Sequence, residues 1–172
     1  MITPLLISAK DLKELSIIDS NATDELISKL IIRVTDIDIR RLLGTELFKK
    51  ICTDVNNGTL SGYYQTLVYD YLINYIVLGV EFYYISDSTY KFTNKGVMTK
   101  DSAYGTPPGY YDLSKIMNQK ESIMKEYADE VKMYILNNLT HFTEYYNIQD
   151  SYGKPGSNYI QGTLWLGRKK RI

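Results

Sequence analysis

The sequence has little of what most catalytic sites require: one cysteine, one histidine and one tryptophan in 172 residues. A lone Cys52 excludes an intrachain disulfide and a cysteine metal cluster, and it suits a reducing compartment. Nothing near Cys52 or His141 resembles a Cys–His pair, and no phosphate-binding loop or zinc-ligand spacing occurs. We therefore predict no catalytic residue, no cofactor and no metal site. Cys52 is expected to be a small buried hydrophobe, and His141 a cation near a helix C-terminus.

Long apolar runs are also missing. The most apolar segment, residues 71–80, lies between Asp70 and Glu81, far short of the ~20 residues that a membrane span needs. The early stretch Leu5-Leu6-Ile7 is short and follows no basic residue, so neither a secretory signal nor membrane attachment is expected.

The charge is divided unevenly along the chain, although the formal net charge is zero. Residues 1–146 contain 15 Lys and Arg against 19 Asp and Glu, which is a net charge of −4, whereas residues 147–172 have a net charge of +4. A net charge of zero argues against a general nucleic-acid coat, so any basic function must be local. We predict a folded domain over 1–146 and an extended basic tail over 147–172, which has too few apolar residues to form a core.

The body has the apolar periodicity of packed helices, which predicts an all-α bundle of about four or five helices. The first expected helix is short, is capped by Ser8 and ends at Leu15, and the second has its capping signal at Asn21 and Asp24 and stops at Gly44. A third is capped by Thr45 and ended by Asn56-Asn57-Gly58, and a central buried helix runs from Ser61 to about Ile85. The last runs from about Leu113 to Phe142, with one face formed by Ile116, Ile123, Tyr127, Val131, Tyr134 and Asn138 and with Ile135 and Leu139 beside that face. Residues 86–111 break the periodicity as one excursion, with a hairpin over 89–100 and a loop over 103–109. Asp36 and Asp38 are expected to lie on a solvated helix face.

Seventeen tyrosines are unusual for this length, and eight of them form four adjacent pairs. Adjacent residues on a helix point about 100° apart, so a pair often places one ring in the core and one on the surface. Surface tyrosine is enriched at protein interfaces, whereas AT-rich codon usage would produce the same excess. The sequence leaves these two explanations open.

Two segments are candidates for binding a partner. The tail combines an apolar stretch with a basic run, and its candidate residues are Tyr159, Leu164, Trp165, Leu166, Arg168, Lys169, Lys170 and Arg171. The predicted hairpin is an exposed loop that turns at a glycine, and its candidate residues are Asn94, Lys95, Gly96 and Val97. A Trp with two Leu on an extended segment is typical of an anchor for a partner's groove or sheet edge. The basic run fits either a phosphate backbone or an acidic protein surface, and we favour the protein.

The order of motifs in the body resembles a known family. Residues 32–34 run into Ile39-Arg40-Arg41-Leu42-Leu43-Gly44-Thr45-Glu46-Leu47-Phe48, followed by the tyrosine-rich helix after Ser61, residues 93–100 and the segments 132–138 and 142–146. This combination resembles the head-to-tail connector, or adaptor, proteins of tailed phages over about residues 8–147. The composition is most similar to the ring proteins of crAss-like phages.

The resemblance implies a structural virion protein rather than an enzyme. Such proteins form a ring, commonly of twelve subunits, in the neck between capsid and tail, after assembly in the host cytoplasm. The implied partners are further copies of the chain, the portal protein and other neck or tail proteins, with non-specific contact to packaged DNA possible and no membrane. The alternative is a small helical nucleic-acid-binding or regulatory module that uses the basic tail.

Overall fold

The computed structural model describes residues 4–93, 96–99 and 110–146, and in this part of the chain the predicted all-α fold is confirmed. Six helices and one hairpin are present among the described residues: α1 (Ala9–Leu15), α2 (a continuous run of Asp24–Val34, the π-helical turn Thr35–Ile39 and Arg40–Leu43), α3 (Thr45–Asn57), α4 (a continuous run of Gly62–Thr66, the π-helical turn Leu67–Leu72 and Ile73–Thr89), β1 (Tyr90–Thr93), β2 (Gly96–Thr99), α5 (Tyr110–Asn137) and α6 (Thr143–Tyr146), with a 3₁₀ turn at Leu139–His141. The basic tail, 147–172, lies outside the described residues.

The N-terminal helix starts at the predicted cap residue, Ser8. The Ser8 hydroxyl accepts a hydrogen bond from the Asp11 backbone N–H at 3.1 Å and donates to the Asp11 carboxylate at 2.7 Å. The predicted start of α2 at Asn21 is wrong, because the N-cap is Thr23. The backbone N–H of Asn21 instead donates to the Asp19 carboxylate at 2.7 Å, which makes residues 19–21 a turn that precedes the helix.

Gly44 separates α2 from α3, as predicted, and the reason is its positive φ of 76°. A side chain there would be strained, so glycine allows the chain to leave one helix and enter the next without an intervening loop. Thr45 was predicted to cap α3, and this is wrong: Gly44 occupies the cap position and Thr45 is the first helical residue. The predicted stop at Gly58 is confirmed, with a left-handed φ of 67°.

The central position of α4 is confirmed, since Leu72, Ile76 and Val80 are fully buried. The predicted end at Ile85 is wrong by one turn, because α4 continues to Thr89 and the excursion begins only at Tyr90. An ion pair between Arg33 and Asp87, 3.4 Å between the charged atoms, ties this last turn to α2.

The predicted hairpin is confirmed by two antiparallel strands in which Phe92 pairs with Val97 and Thr93 pairs with Gly96. Of the four candidate hairpin residues, Gly96 and Val97 therefore lie on β2. Asn94 and Lys95, at the turn, lie outside the described residues, as does the predicted loop over 103–109.

The last helix was predicted over Leu113 to Phe142, and both ends are shifted. It begins three residues earlier, at Tyr110, and ends at Asn137. The side-chain amide of Asn138 donates to the Tyr134 carbonyl at 2.8 Å, and the 3₁₀ turn follows.

The inward face predicted for α5 is partly wrong. Val131 and Ile135 are fully buried, but Ile116 is 43% exposed. At about 100° per residue, Ile116 lies roughly 60° around the helix from Val131. The buried line of α5 is therefore centred on Val131 and Ile135, to one side of the face that the spacing indicated.

Three helices meet at Gly79 in the middle of α4. A Cβ atom at this position would lie 2.9 Å and 3.2 Å from the two methyl groups of Val34 on α2, and 3.5 Å from the methyl group of Met124 on α5. Real Cβ atoms essentially never have such a neighbour within 3.0 Å. Glycine therefore sets how closely α2 packs on α4, while α5 touches the same position at ordinary contact distance.

We expect Gly79→Ala to lower the free energy of unfolding by about 1–3 kcal/mol, because the added methyl group overpacks the contact with Val34. In a Val34→Ala background the same substitution should be neutral or stabilising by up to about 1 kcal/mol, since alanine is the better helix former. Urea denaturation of the two single variants and the double variant measures this coupling. A gain of stability from Gly79→Ala alone would contradict the close approach.

Candidate interaction surfaces

One side of α4 contributes to a groove of about 240 Å³, which we call the α4 groove. Its lining comes from the end of α1, from α4 and from α5: Leu15, Asn74, Val77, Leu78, Glu81 and Tyr127. Leu15, Val77 and Leu78 are apolar, Asn74 and Glu81 are polar, and Tyr127 is aromatic with a hydroxyl group. The groove therefore exposes polar and apolar surface in about equal measure.

The Glu81 carboxylate joins three parts of the chain beneath this groove. Glu81 is only 6% exposed, and one of its oxygens lies 2.6 Å from the Lys120 ammonium group on α5. Its other oxygen accepts a hydrogen bond from the backbone N–H of Ile17 at 2.9 Å. A buried carboxylate needs such partners because its desolvation is costly. The ion pair thus fixes α5 and the segment after α1 against the central helix.

The rim of the α4 groove leaves apolar side chains in solvent. Leu15 is 63% exposed and Ile17 is 78% exposed, although the backbone of Ile17 is held by Glu81. Three carboxylates, of Asp11, Glu14 and Asp19, are exposed on the same N-terminal segment. Lys10 and Lys13 lie on the same segment, so its charge is mixed. What distinguishes the rim is the pair of exposed apolar side chains beside a backbone N–H that Glu81 holds.

The opposite side of α4 carries a cluster of charged and aromatic groups. The Arg33 guanidinium carbon lies 4.3 Å from the centre of the Tyr83 ring, and the Tyr83 hydroxyl donates to the Asp38 carboxylate at 3.2 Å. Burial raises the pKa of Asp38, while the Tyr83 hydrogen bond and the positive charges of Arg41 and Arg33 oppose that rise. Asp38 was predicted on a solvated face, and this is wrong because Tyr83 packs over it.

An exposed row of side chains on α2 borders this cluster. Arg33, Ile37 and Arg41, four residues apart, are all exposed, and Ile37 retains 45% of its accessible surface. We call these three residues the arginine row. Spacings of four place side chains on the same face of a helix, so the row presents one apolar side chain between two positive charges.

The two surfaces lie on different sides of the molecule. Glu81, at the floor of the groove, and Tyr83, beside the arginine row, are two residues apart on α4, so they point about 200° apart. The chain thus offers a groove on one side of its central helix and a projecting row on the other.

Several tyrosines hold the opposite end of the body together. The Tyr63 ring stacks on the His141 ring with 3.8 Å between centres, and the Tyr64 hydroxyl lies 2.8 Å from the Glu144 carboxylate. Tyr71 stacks on Tyr134 at 4.5 Å. These rings connect the start of α4 to the end of α5 and to the 3₁₀ turn. His141 therefore lies in the 3₁₀ turn just beyond the end of α5, where its ring stacks on that of Tyr63.

Of the twelve candidate residues from the sequence, the structure describes only the backbone of Gly96 and Val97, on β2. The eight tail residues, Asn94 and Lys95 lie outside the described part of the chain. Cys52 is buried, as expected, and burial raises the pKa of its thiol. The signal that the sequence analysis missed was Glu81, an acidic residue in an otherwise apolar helix, together with the spacing of Arg33 and Arg41.

The described residues contain no group of three or more His, Cys, Asp or Glu side chains that is placed to hold a metal ion. Within the same ranges, no helix combines the length and the apolar character needed to cross a membrane.

Comparison with protein families matches residues 39–154 to DUF6712, a family of unknown function. The match covers 116 of the 172 residues and begins inside α2. Comparisons with curated proteins and with solved structures gave no significant match.

Removing one partner of the buried ion pair should destabilise the fold. We expect Glu81→Gln to lower the free energy of unfolding by about 3 kcal/mol, because it leaves the Lys120 ammonium group without a counter-charge. Lys120→Met should have a comparable effect, and the double variant should lose less than the sum of the two, as measured by urea denaturation.

The exposed pair of Glu25 and Lys29 on α2 provides the matched control, since its side chains are 80% and 68% exposed. Glu25→Gln should leave the stability nearly unchanged. Equal effects of Glu81→Gln and Glu25→Gln would show that the buried pair does not hold the three segments together.

Proposed function

We propose that the chain, which belongs to the DUF6712 family, is a structural virion protein that forms a ring in the neck of a tailed phage. The ring joins the portal to the tail and extends the DNA channel. The observation that supports this proposal is the pair of different surfaces on opposite sides of α4. A ring of identical subunits needs two unlike surfaces, because each copy contacts one neighbour with the first and the other neighbour with the second.

The exposed apolar side chains favour assembly over a solitary existence. Ile17 and Leu15 on the groove side and Ile37 on the row side keep 78%, 63% and 45% of their accessible surface. Single exposed apolar residues are ordinary, but here two of them border the α4 groove and the third lies between the charged side chains of Arg33 and Arg41. Such combinations are typical of protein contact surfaces.

The tail supplies a further contact in this proposal. It has a net charge of +4 against −4 for the body, and its apolar segment contains the chain's only tryptophan, Trp165. An acidic surface of the portal or of an adjoining ring is the partner that best fits this composition. Tight binding to DNA would oppose the sliding of DNA through a channel.

The alternative function, a nucleic-acid-binding or regulatory module, has less support from the described surface. Arg33 faces the Asp87 carboxylate and the Tyr83 ring, and Arg41 lies near Asp38. Carboxylates beside each arginine weaken the attraction to a phosphate backbone. A strongly salt-dependent affinity of the whole chain for DNA would favour the alternative.

We expect the purified chain to assemble into closed rings, alone or once portal protein is added. Twelve copies of the 19.9 kDa chain would weigh about 240 kDa. Native mass spectrometry and electron microscopy measure the stoichiometry directly. Monomers under all conditions, with portal present, would refute the proposal.

The tail anchor is tested separately. Trp165→Ala should weaken binding to the portal or to a neighbouring subunit by about 2 kcal/mol, because buried tryptophans are frequent anchors of interfaces. The melting temperature of the helical body should not change. Tyr152→Ala, a tail aromatic outside the apolar segment, is the control and should bind normally. A large drop in melting temperature for Trp165→Ala would mean that this side chain packs on its own body.

A further inference from the structure

One exposed side of α5 combines apolar side chains with carboxylates. Met133 and Leu136 are 56% and 51% exposed, and they lie three residues apart on the same side of the helix. Exposed carboxylates lie on this side as well, within about 60° of Met133 around the helix axis. We call this surface the α5 face, and its residues are Glu126, Asp129, Glu130, Met133 and Leu136.

The charges on the α5 face have one sign. Lys125 and Lys132 lie off the face, about 80° and 100° around the axis from Met133. Each of them pairs with a carboxylate of its own helix, at 2.9 Å and 3.0 Å. Glu126 and Glu130 have no such partner in the described part of the chain. The face therefore offers two uncompensated negative charges beside its two apolar side chains.

The tail contains the complementary groups. Its apolar stretch, Leu164-Trp165-Leu166, is followed after a single glycine by four cations at 168–171. These cations account for most of the positive charge of the tail, which has Asp150 as its one acidic residue. Apolar contact and positive charge thus come from one short segment, as apolar contact and negative charge do on the α5 face.

We propose that the α5 face of one copy binds the tail of a neighbouring copy. Trp165 and the leucines beside it cover Met133 and Leu136. The basic run lies over Glu126 and Glu130. This inference rests on the proposed ring and deepens it, because it names the surface of the ring that receives the tail.

The order of the groups agrees along both partners. At 1.5 Å per residue, Glu130 and Glu126 lie about 5 and 11 Å from Met133 along the helix axis. The basic run begins three residues after Trp165, which is about 10 Å in an extended chain. When Trp165 covers Met133, the first cations therefore lie within a side chain's length of the two carboxylates.

The length of the tail favours a neighbouring copy over the same copy. Residues 147–163 separate the described body, which ends at Tyr146, from the apolar stretch. This connection spans up to about 56 Å, whereas a body of this size is only about 40 Å across. A return to its own α5, which ends at Asn137, would need far less chain. Each copy then gives one tail and receives one, which is the head-to-tail pattern of a closed ring.

Disulfide crosslinking tests the pairing, because the only native cysteine, Cys52, is buried. A chain carrying both Met133→Cys and Leu166→Cys should form a ladder of covalent oligomers on mild oxidation under ring-forming conditions. Each single variant should give dimers at most. The matched control combines Leu166→Cys with Ile116→Cys, an α5 residue that is 43% exposed but lies about 100° from Met133. It should give no ladder.

Charge reversal tests the same contact without crosslinks. Glu126→Lys with Glu130→Lys should weaken subunit association by about tenfold or more, and replacing all four residues 168–171 by glutamate should do the same. The two sets combined in one chain should restore association, because the charges are again opposite across the contact. Glu25→Lys with Glu46→Lys is the control, since it changes the net charge equally at exposed positions of α2 and α3. It should leave association unchanged in analytical ultracentrifugation.

The outcomes separate this inference from the proposed function. Rings that form normally but give no 133–166 ladder and ignore charge reversal would overturn the pairing and leave the ring proposal standing. A 133–166 crosslink within single chains, seen as one band of altered mobility without a ladder, would put the tail on its own body and would also overturn the pairing. Monomers in every condition, with portal present, would overturn both.

Discussion

The close approach of α2 to α4 at Gly79 determines how the rest of the body is arranged. Because position 79 has no side chain, the two methyl groups of Val34 can lie only 2.9 Å and 3.2 Å from the point that a Cβ atom of residue 79 would occupy. Met124 of α5 reaches the same point from another direction. Glycine thus lets α2 pack closely on the central helix, while α5 covers a neighbouring side at ordinary contact distance.

With two sides of α4 covered, its polar residues need partners from other elements. Glu81 obtains Lys120 and the backbone of Ile17, and Asp87 obtains Arg33. Each contact brings another segment of the chain against α4 at a defined place. The floor of the groove and the position of Arg33 therefore both depend on how the carboxylates of an apolar helix are paired.

Helix positions were largely predictable from the sequence, whereas the surfaces were not. Apolar spacing and the glycines at 44 and 58 are local signals, so they gave the order of the helices and two of their ends. The last turn of α4 contacts α2 through Asp87 and Arg33, 54 residues apart, and no local pattern reports that contact. Glu81 was visible only as a polar break in an apolar segment, because its partners at positions 17 and 120 are brought near only by the fold. The exposure of Ile116 was missed for a related reason, since spacing alone leaves the rotation of a helix uncertain by tens of degrees.

The charge at the floor of the groove has a physical role that an apolar residue would not fulfil. A buried ion pair adds little net stability compared with well-packed apolar side chains, because desolvation offsets most of the attraction. Its carboxylate does, however, accept the N–H of Ile17 at a fixed position. That hydrogen bond holds a short segment whose own apolar side chains, Leu15 and Ile17, remain in solvent. Leucine at position 81 would bury well but would leave this N–H without an acceptor and the rim without an anchor. The sequence thus keeps a costly buried charge where it defines an exposed apolar surface, which is the arrangement that a preorganised contact between subunits requires.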